Sequence, residues 1–301
     1  MVEVASPIVD RLDRRKLRFV DVDGIRTRYY EDGAGEPLVL FSGGQFASLY
    51  SLDSWSLNLP GLAKHFHVYA VDKLAQGHTG NPKRDADYNF EALVQHSAAL
   101  LRALGISQAH LAGHSRGGLL VTWLAMEYPA LVKKVVIVDS GTLAPESPIF
   151  PSPRFYDALP QPKGPASLDT VRIEPDAQAY HKEQVTDDFL NRMLECARLP
   201  TFQQAKERME AVINTVWFPS LNRKRQEALH RIEEGGIPVP TLVIWGLNDR
   251  SAPFPLGLHL FEHIAAKTPQ AELHVLNGAG HYSFRDQATG FNRAVQSFCL
   301  G

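Results

Sequence analysis

Ser115 lies between two glycines in the stretch LAGHSRGGLL, residues 111–120. Gly113, Ser115 and Gly117 form the pattern G-x-S-x-G at the point where a strand-like run becomes helix-like. A strand that reverses into a helix so abruptly strains its turning residue and leaves that side chain projecting above the sheet edge, and small neighbours permit the turn. The pattern predicts a serine nucleophile, although a glycine-rich turn with an incidental serine has the same spacing.

A serine hydroxyl needs a base that takes its proton and an acid that orients the base. Asp249 follows the strand-like run TLVIWG, and His281 follows the strand-like run AELHVL. The chain order is serine, acid, histidine, so we predict that Ser115, Asp249 and His281 form a catalytic triad. Asp139 is the alternative acid. An ordinary histidine and a helix-capping aspartate are the competing interpretation.

An acyl-transfer site also needs two backbone N–H groups that bind the developing oxyanion. The N–H of Arg116 directly follows the nucleophile at a helix N-terminus, which adds a partial positive charge. The second donor is expected in FSGGQF, which follows an apolar strand. Gly44 is the first candidate there and Gln45 the second, and a flexible loop is the alternative interpretation.

The elements that must position these residues alternate between strands and helices. Apolar runs predict strands at residues 37–41, 67–71, 109–112, 135–138, 240–246 and 271–276. Helices are expected from Asn89, as N-cap, to Gly105, and at about residues 116–128. Residues 17–31 predict a hairpin. This alternation predicts an α/β fold with a mostly parallel sheet and helices on both faces.

The alternation is interrupted after residue 140. Residues 145–165 are rich in proline, and the polar, helical stretch that follows lacks β-branched runs. We therefore predict a helical cap at residues 141–236, inserted into a core formed by residues 1–140 and 237–301.

Composition excludes several classes of function. The 301 residues carry a net charge of -2 and no dense Lys/Arg block, which argues against nucleic-acid and membrane partners. Cys196 and Cys299 are too far apart in sequence to suggest a disulfide framework or a zinc site. No metal or organic cofactor is expected. We predict a cytoplasmic protein that acts on a small molecule, and a homodimer is left open.

The chain resembles α/β-hydrolases of the group that contains the meta-cleavage product hydrolases, which hydrolyse a carbon–carbon bond in ring-opened aromatics. The resemblance covers nearly the whole chain and implies the α/β-hydrolase fold. Its matching segments are FVDVDGIRTRYYEDG, DKLAQGHT, the serine turn, VTDDFLNRMLE and GHYSFRDQATGFNRAV. These motifs are specific for the fold and much less specific for the reaction.

Several residues depart from the pattern of those carbon–carbon hydrolases. His114 stands where Asn usually precedes the nucleophile, Tyr282 where Trp usually follows the histidine, and Arg116 where Met is usual. The cap arginine expected to bind a dienoate carboxylate falls near Met193, one place after Arg192. The arginine after the serine and the spacing of the triad resemble monoalkyl phthalate hydrolases, which cleave the remaining ester of a phthalate half-ester.

A phthalate half-ester carries a carboxylate beside the scissile ester, so its pocket needs a cation near the nucleophile and an apolar channel. Arg116 or Arg192 is the expected cation, with a surface ion pair as the alternative role of each. Gln45 and Tyr282 are also expected to contact substrate, and His114 is either a substrate contact or a packed turn residue. The aromatic candidates for the channel, each with core packing as its alternative, are Phe46, Tyr50, Phe150, Phe155, Trp217 and Phe218.

The sequence thus predicts an esterase that converts a monoalkyl phthalate to phthalate and an alcohol through an acyl-enzyme. The alternative is a carbon–carbon bond hydrolase of aromatic meta-cleavage products. A further alternative is a non-enzymatic ligand receptor on the same fold. Haloalkane dehalogenases and epoxide hydrolases are disfavoured because they use an aspartate where this chain has Ser115.

Overall fold

A single mixed sheet carries the site. The computed structural model describes residues 8, 10, 12–146, 155–161 and 164–301. The strands of this described part are β1 (Leu17–Val22), β2 (Ile25–Gly33), β3 (Pro37–Phe41), β4 (His67–Val71), β5 (Ala109–His114), β6 (Val132–Val138), β7 (Thr241–Gly246) and β8 (Ala271–Leu276). They are ordered β1-β2-β4-β3-β5-β6-β7-β8. β2 pairs antiparallel with β1 and β4, and all other pairs are parallel.

Helices connect the parallel strands, as the sequence predicts for an α/β fold. The α-helices of the part of the chain that the structure describes are α1 (Leu59–Leu62), α2 (Phe90–Ala103), α3 (Arg116–Glu127), α4 (Leu168–Val171), α5 (Ile173–Gln178), α6 (Asp187–Ala197), α7 (Pro200–Val212), α8 (Phe218–Gly235), α9 (Phe254–Ala265), α10 (Ser283–Asp286) and α11 (Ala288–Leu300). The α/β fold with a mostly parallel sheet is confirmed.

The central strands are buried on both faces of the sheet. In β3, Val39 and Phe41 face one apolar cluster, which also holds side chains of α2, α3, α8 and α9. Leu38 and Leu40 face a second cluster, which holds side chains of α1 and α11. Two-sided burial explains why these strands are continuous apolar runs in the sequence instead of alternating ones.

The predicted boundaries hold with small shifts. The turn of the β1–β2 hairpin has Asp23 and Gly24 at φ 53° and 79°, as a tight hairpin turn requires. β5 extends two residues beyond the prediction, because Gly113 and His114 continue to pair with β6. α3 ends at Glu127, two residues before Pro129, which disfavours helix in the preceding residue.

Helices α4 to α8 lie in the chain between β6 and β7. An apolar cluster separate from the two sheet faces joins α4 and α6, with Val171, Phe189 and Met193 among its members. α8, in contrast, buries Ala228 and Ile232 in the cluster on one face of the sheet. The cap boundaries at residues 141 and 236 stay a prediction. Within the described residues, no helix has the length and apolar character needed to cross a membrane.

Candidate active site

The predicted nucleophile occupies a strained turn. Ser115 joins β5 to α3 with φ 54° and ψ −119°, a backbone conformation that non-glycine residues rarely adopt. A side chain at Gly113 would overlap the backbone carbonyl of Gly117, and one at Gly117 would press on the carbonyl of Ser42. Both glycines are needed because strand, helix and the neighbouring loop meet at backbone contact.

The predicted base and acid are in direct contact. His281 Nδ1 lies 2.7 Å from Asp249 Oδ2, and Asp249 Oδ1 accepts hydrogen bonds from the N–H groups of Ser251 and Ala252 at 2.8 Å each. Burial disfavours the charged form of His281, but the charge and hydrogen bond of Asp249, together with the smaller effects of Asp139 and Glu174, raise the pKa of His281 above its usual value. Because Nδ1 donates to Asp249, Nε2 is the nitrogen left to accept a proton.

Asp139, the alternative acid, takes a different position. It follows β6 at φ 46°, and its carboxyl accepts from Gly246 N at 2.7 Å and from Ser283 Oγ at 2.5 Å. Burial, followed by the negative charge of Asp249, raises the pKa of Asp139 to about 8. Asp249 is therefore the carboxylate that contacts the His281 ring, whereas Asp139 binds Ser283 in the segment that follows His281.

Ser115 and His281 open onto one cavity of about 390 Å³, which Arg116 and Tyr156 also border. Among the described residues, no hydrogen bond joins the Ser115 hydroxyl to the His281 ring. Such bonds are often long in an empty site and tighten when substrate binds. The arrangement suits attack on a carbonyl group held between the two side chains.

The oxyanion loop, residues 42–45, follows β3 and forms a neighbouring wall. Gly44 has φ 72°, and it borders a cavity of about 350 Å³ together with Arg116 and Tyr156. Arg116 and Tyr156 also border the Ser115 cavity, so the two cavities adjoin. Among the described residues, the N–H groups of Gly44 and Arg116 donate to no other group. Two free N–H groups beside one cavity match the needs of an oxyanion hole.

A third, more apolar cavity continues from the oxyanion loop. Its volume is about 540 Å³, and Gln45 and Ala47 border both this cavity and the preceding one. Phe46, Phe202 and Met209 contribute apolar walls. Phe46, a predicted channel residue, and Gln45, a predicted substrate contact, therefore line an apolar cavity that continues from the oxyanion loop.

Arg116 is the predicted cation that the structure places at the cavities. It is half-buried, and among the described residues no acceptor pairs with its buried Nε. A guanidinium with free donors beside Ser115 can bind a carboxylate in the forked geometry that arginine favours.

The predicted substrate contact of Arg192 is wrong. Its guanidinium lies 2.8 Å from Asp10 Oδ1 and 3.1 Å from Ser56 Oγ. Arg285 binds the other oxygen of Asp10 at 2.7 Å. Arg192 borders a different cavity, from which Ser115 and His281 are absent. The buried carboxylate of Asp10 holds Arg192 away from the site, so Arg192 is part of a structural ion-pair cluster.

Three further predicted substrate contacts, His114, Trp217 and Tyr282, are buried and border none of the three cavities described above. Their positions favour the packed-residue alternative for His114 and Trp217 and do not support the predicted substrate contact of Tyr282. His114 Nε2 donates to the carbonyl of His281 at 2.8 Å. The Tyr282 ring stacks on His114 at 5.9 Å between ring centroids. Trp217 Nε1 donates to Gln45 Oε1 at 3.1 Å and packs on Phe46. His114 therefore contacts His281, Tyr282 packs behind His114, and Trp217 contacts the oxyanion loop at Gln45.

Of the remaining aromatic candidates for the channel, one borders a cavity and two pack against other side chains. Phe218 borders the Ser115 cavity. Tyr50 is buried and donates from its hydroxyl to Gln178 Oε1 at 2.7 Å. Phe155 packs edge-on against Tyr156. Phe150 lies outside the described residues.

Tyr156 and Glu174 are cavity residues that the sequence analysis missed. Tyr156 borders two adjoining cavities, and Glu174 borders the oxyanion-loop cavity from α5. Burial raises the pKa of the Glu174 carboxyl above its usual value. Neither residue lies in a motif, and only the packing of the inserted helices against the sheet brings them here.

Comparison with known proteins supports a hydrolase. A family model described as alpha/beta hydrolase fold matches residues 36–288. A 2-hydroxymuconate semialdehyde hydrolase of Pseudomonas sp. strain CF600 is 30% identical over 277 residues, which cover 91% of this chain and 90% of that protein. A 2-hydroxy-6-oxo-2,4-heptadienoate hydrolase of Pseudomonas putida is 28% identical over 282 residues, or 93% of this chain and 95% of the relative.

A solved structure of a hydrolase is also similar to this chain. The meta-cleavage product hydrolase CumD of Pseudomonas fluorescens IP01 matches with a TM-score of 0.74 and 26% identity, covering 93% of this chain and 96% of CumD. None of these three proteins is described by name as a phthalate ester hydrolase. The similarity extends over nearly the full length, so it includes the inserted helices as well as the sheet.

Proposed function

This chain belongs to the alpha/beta hydrolase fold family, and from that premise we propose that it hydrolyses the carbon–carbon bond beside a ketone in a ring-opened aromatic acid. The sequence alone favours a phthalate half-ester. The names of relatives matched over nine-tenths of the chain favour hydroxylated oxo-dienoic acids and related ring-opened products instead.

One observation carries the proposal. A single cavity brings together Ser115, His281 and the side chain of Arg116. The first two supply a nucleophile and a base, and the guanidinium supplies a cation for an acidic substrate, a feature that the proposed substrate shares with the second candidate below. The adjoining apolar cavity is suited to the hydrocarbon part of such an acid.

The proposed reaction has two halves, formation of an acyl-enzyme and its hydrolysis, and His281 moves protons in both. His281 Nε2 takes the proton of Ser115 as the serine oxygen attacks the ketone carbon, and Asp249 stabilises the imidazolium. The N–H groups of Gly44 and Arg116 bind the resulting oxyanion. Collapse breaks the carbon–carbon bond, and the leaving carbon takes the proton from His281. Water, activated by the same histidine, then releases the second acid.

A second candidate, hydrolysis of an aromatic half-ester, is favoured by the position of Arg116. In a phthalate half-ester the carboxylate is on the ring carbon next to the scissile carbonyl, whereas in an oxo-dienoic acid it lies at the other end of the carbon chain. Arg116 directly follows the nucleophile and borders its cavity. That position suits a carboxylate close to the bond that breaks.

The two functions are separated by offering the purified protein three substrates in parallel, with products separated by chromatography. These are a ring-cleavage oxo-dienoate, a monoalkyl phthalate and the matching dialkyl diester. Turnover of the dienoate alone supports the proposal, and release of phthalate from the half-ester alone supports the second candidate. Tight binding without turnover of any of the three would contradict both and favour a ligand receptor.

Arg116→Met tests the carboxylate site, with Arg225→Met as the matched control. Arg225 borders the same cavity but is already paired with Glu146 at 3.0 Å. Loss of a charge-assisted contact raises KM for the acid substrate roughly tenfold to a hundredfold in Arg116→Met. Turnover of the neutral diester, if any is observed, is expected to change little. An equal effect of the two substitutions would argue against a carboxylate site at Arg116.

A further inference from the structure

A lysine is buried directly behind the oxyanion loop. Lys73 follows β4 by two residues and is only 2% exposed. Its Nζ donates to the backbone carbonyls of Gly43 and Gly44, at 3.0 Å each. Gln76 Nε2 donates to the Gly43 carbonyl as well, also at 3.0 Å. A buried ammonium is costly unless it is well paired, so its retention behind a candidate active site points to a role.

The charges around Lys73 are unusual because they include no carboxylate partner among the described residues. Asp72, its chain neighbour, pairs with the Arg28 guanidinium at 2.5 Å. The side chains that interact electrostatically with Lys73 are cationic or neutral. They are Arg116, from the start of α3, and His114, from the end of β5. The ammonium is therefore held mainly by the loop carbonyls.

The direction of these contacts determines the direction of the loop N–H groups. In a trans peptide the C=O and the N–H point in opposite directions. The Gly43 carbonyl shares its peptide with the N–H of Gly44, and the Gly44 carbonyl shares its peptide with the N–H of Gln45. With both carbonyls drawn towards Lys73, both N–H groups point to the opposite side of the loop, where Gly44 and Gln45 border the cavity.

We propose that Lys73 is a positioning residue for the oxyanion loop. Its ammonium holds two peptide units in the orientation that binds an oxyanion, and its charge polarises them so that their N–H groups are stronger donors. The inference rests on the proposed function, since it presupposes attack by Ser115 on a carbonyl group. It assigns Lys73 no contact with substrate.

If Lys73 orients and polarises the loop, kcat should depend on pH in a defined direction. Burial, together with the charge of Arg116, lowers the pKa of Lys73 to about 7. The charged form, which polarises the loop, is present below that pH and is lost above it. His281 acts in the other direction because it must be neutral to accept the serine proton, and its pKa is raised. Wild-type kcat is therefore expected to rise with His281 deprotonation and to fall again as Lys73 loses its proton.

Lys73→Met tests the proposal because methionine has similar length and no donor. We expect kcat to fall roughly tenfold to a hundredfold, an effect no larger than that of removing a direct oxyanion donor. KM should change by less than about threefold. The fall of kcat at high pH should disappear. Lys73→Gln restores a neutral donor, so it should recover part of kcat and still lack the high-pH fall. Lys83→Met, on an exposed lysine, is the matched control and should behave as wild type.

Circular dichroism and thermal melting check that each variant is folded. An unchanged kcat in folded Lys73→Met, or a high-pH fall that persists in it, overturns the proposal. Running the same series on p-nitrophenyl acetate separates this inference from the proposed substrate. If the wild type cleaves that ester but none of the ring-derived acids, the substrate assignment fails while the Lys73 profile is still measured. If it cleaves the acids and Lys73→Met is equally fast, only the Lys73 role fails.

Discussion

Replacing Asp249 by Asn removes the negative charge that faces His281 and keeps the size of the side chain. The Nδ1–Oδ2 distance of 2.7 Å puts the two charge centres about 4 Å apart, where an ion pair in a protein is worth about 4 kcal/mol. That stabilisation acts on the imidazolium formed when Ser115 gives up its proton. At about 1.4 kcal/mol per factor of ten, kcat is expected to fall about 10³-fold.

The same substitution has a signature in the pH profile. Burial disfavours the charged form of His281, and Asp249 is the largest of the opposing effects that raise its pKa. In Asp249→Asn the pKa of His281 should therefore fall, and the acidic limb of kcat/KM should move to lower pH. Stopped-flow or steady-state rates between about pH 5 and pH 9 measure both effects on the substrate that the wild type hydrolyses.

Asp139→Asn is the matched control, because it makes the same chemical change on a neighbouring buried carboxyl. Asp139 contacts Gly246 and Ser283 instead of the His281 ring, so Asp139→Asn leaves the Asp249–His281 contact in place. Its kcat at pH 7 should stay within about fivefold of wild type. A larger loss in Asp139→Asn than in Asp249→Asn would refute the assignment of the orienting acid.

Two further predictions concern the ion-pair cluster around Asp10. Arg192→Met breaks a buried pair with Asp10 and should lower the free energy of unfolding by about 3 to 5 kcal/mol in urea titrations. The kcat of the folded variant should stay near that of the wild type. A raised KM with unchanged stability would instead indicate that Arg192 binds substrate. Burial opposes the charge of Asp10, but Arg285 and Arg192 outweigh it and lower the pKa of this carboxyl to about 2. The stabilisation is therefore complete above the unfolded pKa of about 4 and is lost as pH falls from about 4 to about 2. Urea titrations of wild type and Asp10→Asn should converge over that interval, and a constant difference between them would contradict this origin.

The sequence predicts those parts of the site that depend on local backbone geometry. Ser115 is identified because Gly113 and Gly117 sit where strand and helix backbones touch. Asp249 and His281 are identified because each is on the loop that follows a recognisable strand. These three residues can be found from the sequence because each follows a strand, and the ends of the strands determine where their loops meet.

Residues whose partners are distant in the chain could not be assigned from sequence. Arg192 looks like a substrate cation until its partner Asp10, 182 positions away, is placed beside it. The acceptors of Lys73 are backbone carbonyls, which leave no mark in the sequence. Glu174 reaches the cavity only through the docking of α5, a helix with no motif. In each case the missing information is tertiary contact.

The turnover number of Ser115→Ala, measured on the substrate that the wild type hydrolyses, tests whether Ser115 is the nucleophile. We expect kcat to fall by a factor on the order of 10⁶, because removal of the hydroxyl removes the attacking atom. Thermal melting should show that the protein is still folded. Folded Ser115→Ala that keeps a tenth of wild-type kcat would contradict the claim that Ser115 is the nucleophile.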